Sequence, residues 1–374
     1  MRIGIVAEYN PFHNGHKYQI EYAKNVLKAD SVVIAMSGNF TQRGLPAVCD
    51  KQIRADVAVD CGADIVVEMP LSICTADTPL FAQGAVDILN RLGCDSILFG
   101  SELNNLDLLY SIAEIMTSKE YEKLYFLFLI KNHDAPLSRE LAIKKLISNN
   151  NIFSFSFINE PNNLLGIYYL SAIIRRGYNI TPYTNKRVGQ GYFDEEYITE
   201  CKFASASAIR KLIANEKSNS NDAFSIFIPD EMYDRLVDYF NLYRAVFIEQ
   251  FENEILKSFQ ECSQEKWNNI CIDNPREAVP FSAIKAKLSN NASYAEVRQE
   301  FLKYVSPLRA DRMICWILLD QKRLNINEFT ESDHTYYRVL ASNKKLKIDD
   351  LKNSFSVNQW KMIDDLYIAK AKLD

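Results

Sequence analysis

Apolar residues in the first half of the chain fall in short, nearly uninterrupted β-branched runs separated by amphipathic stretches. Four runs have this character: Arg2–Ala7, Ser31–Met36, Ala63–Glu68 and Asp95–Gly100. A strand that is apolar on both faces belongs inside a parallel sheet with helices packed on either side, so each run predicts a buried parallel strand. Between the first two, Tyr18, Tyr22 and Val26, with Ala23 and Leu27, recur at helical spacing. The stretches after the second and third runs read as crossovers as well, which gives βαβ units in a doubly wound sheet.

Further along, Pro161 stands where a helix would begin and Gly177 just past the end of Arg176, predicting a helix over 161–176 and then a strand over Asn179–Tyr183. The segment Ala204–Lys211 reads as the capped start of another helix. The polar stretch Asn215–Asp222 has no apolar periodicity and marks a boundary. Beyond it strand-like runs disappear, and both Arg312–Leu319 and the stripe Ile348, Leu351, Phe355 read as helical. The expected architecture is an α/β, doubly wound, Rossmann-like domain over residues 1–219, followed by a mainly α-helical domain over 220–374.

Composition narrows the chemistry. With 43 Lys and Arg against 48 Asp and Glu, the net charge of −5 leaves no overall polycation to hold nucleic acid, so any RNA contact must come from a local basic patch. The eight cysteines form no C-x-x-C pair, which points to buried free thiols and a reducing cytoplasm rather than a disulfide frame or zinc site. No apolar run reaches 18 residues and no leader is evident at the N-terminus, so a membrane is not expected. There is also no His/Asp/Glu spacing that would hold a metal.

Two of the four histidines fall in His13-Asn14-Gly15-His16, directly after the first predicted strand and at the mouth of the first predicted helix. A helix N-terminus points free N–H groups at an anion, glycine allows a phosphate to approach the backbone, and flanking imidazoles can donate to the same oxygens. A strand followed by H-x-G-H resembles the HIGH-type nucleotidyltransferase superfamily. Ser205-Ala206-Ser207-Ala208-Ile209-Arg210 resembles that superfamily's second element, with Ala208 where a threonine often stands. More narrowly, the segments Ala7–His16, Met36–Gly44, Phe99–Glu102, Pro161–Gly166 and Lys186–Gly189 resemble the tRNA(Met) cytidine acetate ligase family.

The resemblance implies ATP-dependent activation of acetate to acetyl-adenylate, then transfer of the acetyl group to N4 of the wobble cytidine of elongator tRNA(Met). Mg²⁺ is expected to accompany the ATP, and DNA is not an expected partner. It assigns to ATP the segment Ala7, Glu8, Tyr9, Asn10, Pro11, Phe12, His13, Asn14, Gly15, His16, Lys17, Tyr18, Gln19 and Ile20, together with Gly100, the pair Asn162 and Asn163, and Arg187 with Val188. The catalytic candidates are His13 and His16 of that set together with Arg210, and Ser205 and Ser207 are further phosphate contacts. The asparagine pair does not say which member touches the nucleotide.

Each residue also has an ordinary reading. Asn10 before Pro11 fits an extended strand exit as well as a nucleotide amide. Ser37-Gly38-Asn39-Phe40 with Gln42-Arg43-Gly44 has loop composition at the strand edge where ligands of doubly wound sheets bind. Lys144 with Lys145, Lys344 with Lys345, Lys370 and Lys372 each read alone as solvated helix faces. Taken together they are the evident supply of charge for tRNA, most of it in the helical part. His133 and His334 have no motif around them. Two other functions stay open on the residues alone: a small-molecule adenylyltransferase acting on a phosphorylated cofactor precursor, and an inactive RNA-binding scaffold.

Overall fold

The computed structural model describes residues 1–147, 155–186, 202–215, 223–271, 279–289, 292–321, 337–343 and 357–372. Arg187, Val188, Lys344, Lys345, His334 and the Ile348, Leu351, Phe355 stripe lie outside them.

The sheet has six strands: β1 (Arg2–Ala7), β2 (Ser31–Met36), β3 (Ile65–Glu68), β4 (Ser96–Ser101), β5 (Thr181–Lys186) and β6 (Arg338–Ser342), in the order β5-β4-β1-β2-β3-β6. The first five are parallel. The predicted fold class holds, and β1 and β2 have the expected bounds. The fifth strand runs later than the apolar pattern indicates, because its pairing with β4 runs in register from Ser96 against Thr181 to Ser101 against Lys186. One strand was not expected at all. Residues of β6 pair antiparallel with β3, Glu68 against Arg338 and Ile65 against Ser342, so the mainly helical C-terminal part also closes one sheet edge. All five of its residues are half-buried, and an edge strand of that kind needs no apolar run.

Two cores sandwich the sheet. On one face Val33, Ala35, Val67, Ile97 and Phe99 pack with helices Thr78–Arg91, Leu106–Met116 and Pro161–Arg176. On the other, Ile3, Ile5, Val32 and Ile34 pack with α1 (Asn14–Glu21) and α2 (Lys51–Asp60). The helix after β1 continues from α1 into one π-helical turn at Tyr22–Val26. The Pro161–Arg176 helix begins and ends as predicted, with Gly177 at φ 64° in the left-handed conformation that closes it.

The second core extends through Ile209 and Leu212 into Phe227, Phe251, Phe259, Phe301, Met313 and Tyr367. Residues on both sides of position 219 therefore share one apolar interior.

A buried ionic cluster fastens the C-terminal strand and helix to the sheet. The Glu68 carboxylate accepts from Lys51 Nζ at 2.9 Å and from Arg338 at 2.9 and 2.5 Å. Asp364, in the helix Val357–Ala371, accepts from Arg338 at 3.0 Å and also pairs with Lys51. Gly38 makes room for this cluster, since a Cβ there would stand 2.1 Å from a Glu68 oxygen. Removing one partner of a buried ion pair leaves the others uncompensated and costs about 3–5 kcal/mol. Glu68→Ala is accordingly expected to lower the unfolding free energy by about 3 kcal/mol or more in urea titration; an unchanged midpoint would show that the cluster carries no stability.

Candidate active site

The chain leaves β1 in one direction towards β2 and β3 and later returns on the other side through β4 and β5, so the crevice opens beyond the C-terminal ends of β1 and β4. A cavity of 630 Å³ lies there. Its walls include Ala7, Glu8, Tyr9, Asn10, His13, Gly15, His16, Tyr18, Gln19, Gly100, Asn162, Ser205, Ser207 and Arg210. Residues 200 positions apart in the sequence thus meet around one space of nucleotide size.

The strand exits that form its floor are fixed from beneath by Arg54 of α2, which has no exposed surface. Its guanidinium donates to the carbonyls of Glu8 at 2.6 Å, Ser37 at 3.2 Å, Gly38 at 2.6 Å and Cys49 at 3.2 Å. Held this way, the chain leaves β1 through Tyr9 at φ 50°, a left-handed conformation that a bulky residue keeps only when its surroundings impose it. The Tyr9 ring is buried against Phe12 and His16, with centroids 4.7 Å away in each case, and burial pushes its phenol well above the ordinary tyrosine range.

His13 is the N-cap of α1. Its Nδ1 accepts from Gly15 N–H at 3.1 Å, and His16 Nδ1 accepts from the His13 N–H at 3.2 Å, a reciprocal capping box made by two imidazoles. The rings stack at 3.6 Å with planes 19° apart. Because each Nδ1 is an acceptor, the hydrogen-bond pattern assigns the proton of each neutral ring to Nε2, which makes both side chains Nε2–H donors bordering the cavity. The first turn of α1 carries no acidic residue to compete for them.

Elsewhere on the cavity wall, Ser205 caps the helix Ala206–Asn215, its Oγ accepting from Ala208 N–H at 3.2 Å and lying 3.0 Å from Ser207 Oγ. One turn on, Arg210 donates to the Asn10 carbonyl at 2.7 Å. Burial lowers its pKa, the nearby Glu8 carboxylate opposes that shift, and Arg43 adds to it. The Asn10 side chain turns the other way and accepts from Val48 N–H at 2.9 Å, bracing the loop after β2.

The third helix start belongs to Pro161–Arg176. Here Glu102, just past β4, accepts from the backbone N–H of Asn163 at 2.9 Å and of Asn162 at 3.4 Å, and from the Asn162 side chain. The chain's own carboxylate occupies this helix N-terminus. The two asparagines separate cleanly: Asn162 lines the cavity, whereas Asn163 is fully buried and bonds to Leu103 N–H, the Phe157 carbonyl and Glu160.

Several expected contacts do not line the cavity. Pro11, Phe12 and Ile20 are buried behind it, Asn14 donates to the carbonyls of Lys202 and Ile226, and Lys17 pairs with Glu231 at 2.8 Å. Conversely, Thr78, Phe81, Tyr169, Asn185 and Leu308 line it without any warning from motif or spacing, since each sits on a regular element whose periodicity reports only burial. His13→Ala removes the cap and is expected to lower stability by about 1 kcal/mol, while His13→Asn, a good cap, retains it although both lose the imidazole donor. Thermal unfolding of the two variants checks this, and equal losses would assign the ring no capping role.

The HIGH Nucleotidyl Transferase family matches residues 1–366 of the chain. A tRNA(Met) cytidine acetate ligase of Clostridium novyi is 32% identical over 91% of this chain and 84% of its own length. One from Acetivibrio thermocellus is 35% identical over 92% and 83%. Among solved structures, Thermotoga maritima TmcAL bound with alpha-thio ATP superposes with a TM-score of 0.78 at 28% identity, covering 99% of this chain and 84% of that one. The H-x-G-H turn, the serine-capped helix with its arginine, and the whole-length match agree, and the chain belongs to the HIGH nucleotidyl transferases and, among them, to the tRNA(Met) cytidine acetate ligase family.

Proposed function

We propose that the protein uses ATP to convert acetate to acetyl-adenylate with release of pyrophosphate, and then passes the acetyl group to N4 of the wobble cytidine of elongator tRNA(Met), forming N4-acetylcytidine. The observation that carries this reading is the pair of helix starts, His13–His16 and Ser205–Arg210, lining one cavity in a chain whose curated relatives bear that enzyme's name.

Acetate is already an anion and needs no base to attack the α-phosphorus. The demand is on charge: negative charge grows on the phosphoryl oxygens and on the departing pyrophosphate, and fixed donors answer it. The Nε2–H groups of His13 and His16, Ser205, Ser207 and Arg210 supply them. Glu102 already satisfies the helix start at Asn162, so the phosphates belong on the α1 side and the nucleoside beside Gly100 and Asn162. Arg187 and Val188 stay assigned to ATP on the resemblance. Mg²⁺ would arrive on the nucleotide's phosphates; among the described residues no three His, Cys, Asp or Glu side chains cluster as metal ligands.

The tRNA would be held by local basic surface, most of it from residues 220–374. Within that region Lys370 already pairs with Glu254 at 2.7 Å. Six described cysteines are buried free thiols, and burial pushes Cys74 up to about 12, which suits a reducing cytoplasm. No helix among the described residues is long and apolar enough to cross a membrane.

The test is to incubate the protein with ATP, labelled acetate and elongator tRNA(Met), following pyrophosphate, acetyl-adenylate and acetylated RNA separately. Acetate-dependent ATP–pyrophosphate exchange without tRNA is expected, and its absence would refute the reading. His16→Ala should reduce exchange about 10²–10³-fold, the scale of one preorganised donor to developing charge. Arg210→Ala should weaken exchange even without tRNA; an effect confined to the transfer half would move Arg210 to the RNA.

A further inference from the structure

A second, smaller cavity of 140 Å³ adjoins the first, sharing with it Glu8, Asn10, Arg43 and Arg210. Its remaining walls come from the loop after β2, with Leu45 and Val48, and from the C-terminal part, with Phe247 and Glu249. The adenylation chemistry makes no use of this space. An apolar protein cavity of about 150 Å³ admits benzene, so this one fits a single six-membered ring; a two-carbon acid would leave much of it empty and a purine would overfill it.

Its chemistry points the same way. Phe247 and Leu45 are half-buried and offer flat and aliphatic walls, Glu249 is exposed at the rim, and the boundary with the larger cavity carries the Glu8 carboxylate and the guanidinium groups of Arg43 and Arg210. Glu8 is held in place by Gln42 N–H, donated to its Oε1 at 2.9 Å. A cytosine presents an amine donor at N4 and acceptors at N3 and O2, the complement of a carboxylate beside a guanidinium; uracil presents an acceptor where the carboxylate needs a donor. Aromatic walls accept unstacked bases of single-stranded RNA loops.

We propose that the small cavity seats the wobble cytosine, with its ring between Phe247 and Leu45 and its N4 amine turned to Glu8 at the boundary where the acetyl-adenylate lies. The proposal rests on the acetyl-transfer reading and adds to it the acceptor subsite and a catalytic role for Glu8. In the transfer step the N4 lone pair attacks the acetyl carbonyl carbon and forms the C–N bond. The C–O bond to the adenylate breaks, AMP leaves with that electron pair, and the proton released from N4 passes to the Glu8 carboxylate. The C-terminal part thereby completes the acceptor site through Phe247.

Leu45→Trp fills the cavity and Phe247→Ala removes its aromatic wall. In full-length protein with elongator tRNA(Met), Phe247→Ala should slow acetyl transfer about tenfold or more, the scale of one lost base–aromatic stack, and Leu45→Trp should slow it further. Acetate-dependent exchange should stay near wild type in both. In the wild-type complex, saturated with tRNA, the wobble cytosine N3 should be protected from dimethyl sulfate. Normal transfer by both variants, or full methylation of N3 in the saturated complex, would overturn the pocket. The wild-type footprint decides the matter even if a variant fails to fold. Loss of exchange in the wild-type protein would instead refute the acetyl-adenylate reading itself.

Discussion

The active-site end of the sheet depends on a guanidinium buried among backbone carbonyls. Arg54 is the largest fully buried side chain among the described residues, and its hydrogen bonds go to the ends of β1 and β2 and to the turn before α2. Desolvating such a charge is expensive, and four carbonyl acceptors offset that only when all stand in place together. The consequence is a rigid exit from β1. Glu8, Tyr9 and Asn10 are set by it, Asn10 then braces Val48 and receives Arg210, and His13 caps α1 three residues on. The guanidinium also leaves a positive charge beneath the floor of the cavity that phosphate would occupy.

The three helix starts around the cavity differ in what they still offer. That of Pro161–Arg176 is already met by Glu102, while those of α1 and Ala206–Asn215 carry imidazoles and hydroxyls and no acidic residue in their first turns. On the proposed function, this asymmetry would give the nucleotide a direction. It also lets a chain of net charge −5 concentrate positive potential where the chemistry needs it.

Much of this was legible in the sequence, for identifiable reasons. Strands β1 and β2 are buried on both faces, so their apolar runs mark their ends, and the Pro161 and Gly177 punctuation marks a helix with its true bounds. The H-x-G-H turn and the serine-capped arginine carry their chemistry locally, and both reached the cavity. The rest depended on tertiary context. Strand β6 is half-buried and exists through its pairing with β3, Asn162 and Asn163 are distinguished only by which side chain reaches the cavity and which is buried in the core, and Arg54 reads in sequence as an ordinary helical arginine. Leu308 and Phe247 reach the two cavities from the far end of the chain through a core shared by both parts, which no local pattern announces.

In the proposed reaction the two helix starts grip one phosphate while the acyl group faces Glu8. A crystal structure of the protein with a stable acyl-adenylate mimic, 5′-O-(N-acetylsulfamoyl)adenosine, tests this most directly. The sulfamoyl oxygens should lie within hydrogen-bond reach of His13 or His16 Nε2 and of Arg210, with the adenosine beside Gly100 and Asn162 and the acetyl carbon towards Glu8. A mimic bound with its sulfamoyl group at the Glu102 end, or with its acetyl group turned away from the smaller cavity, would contradict it.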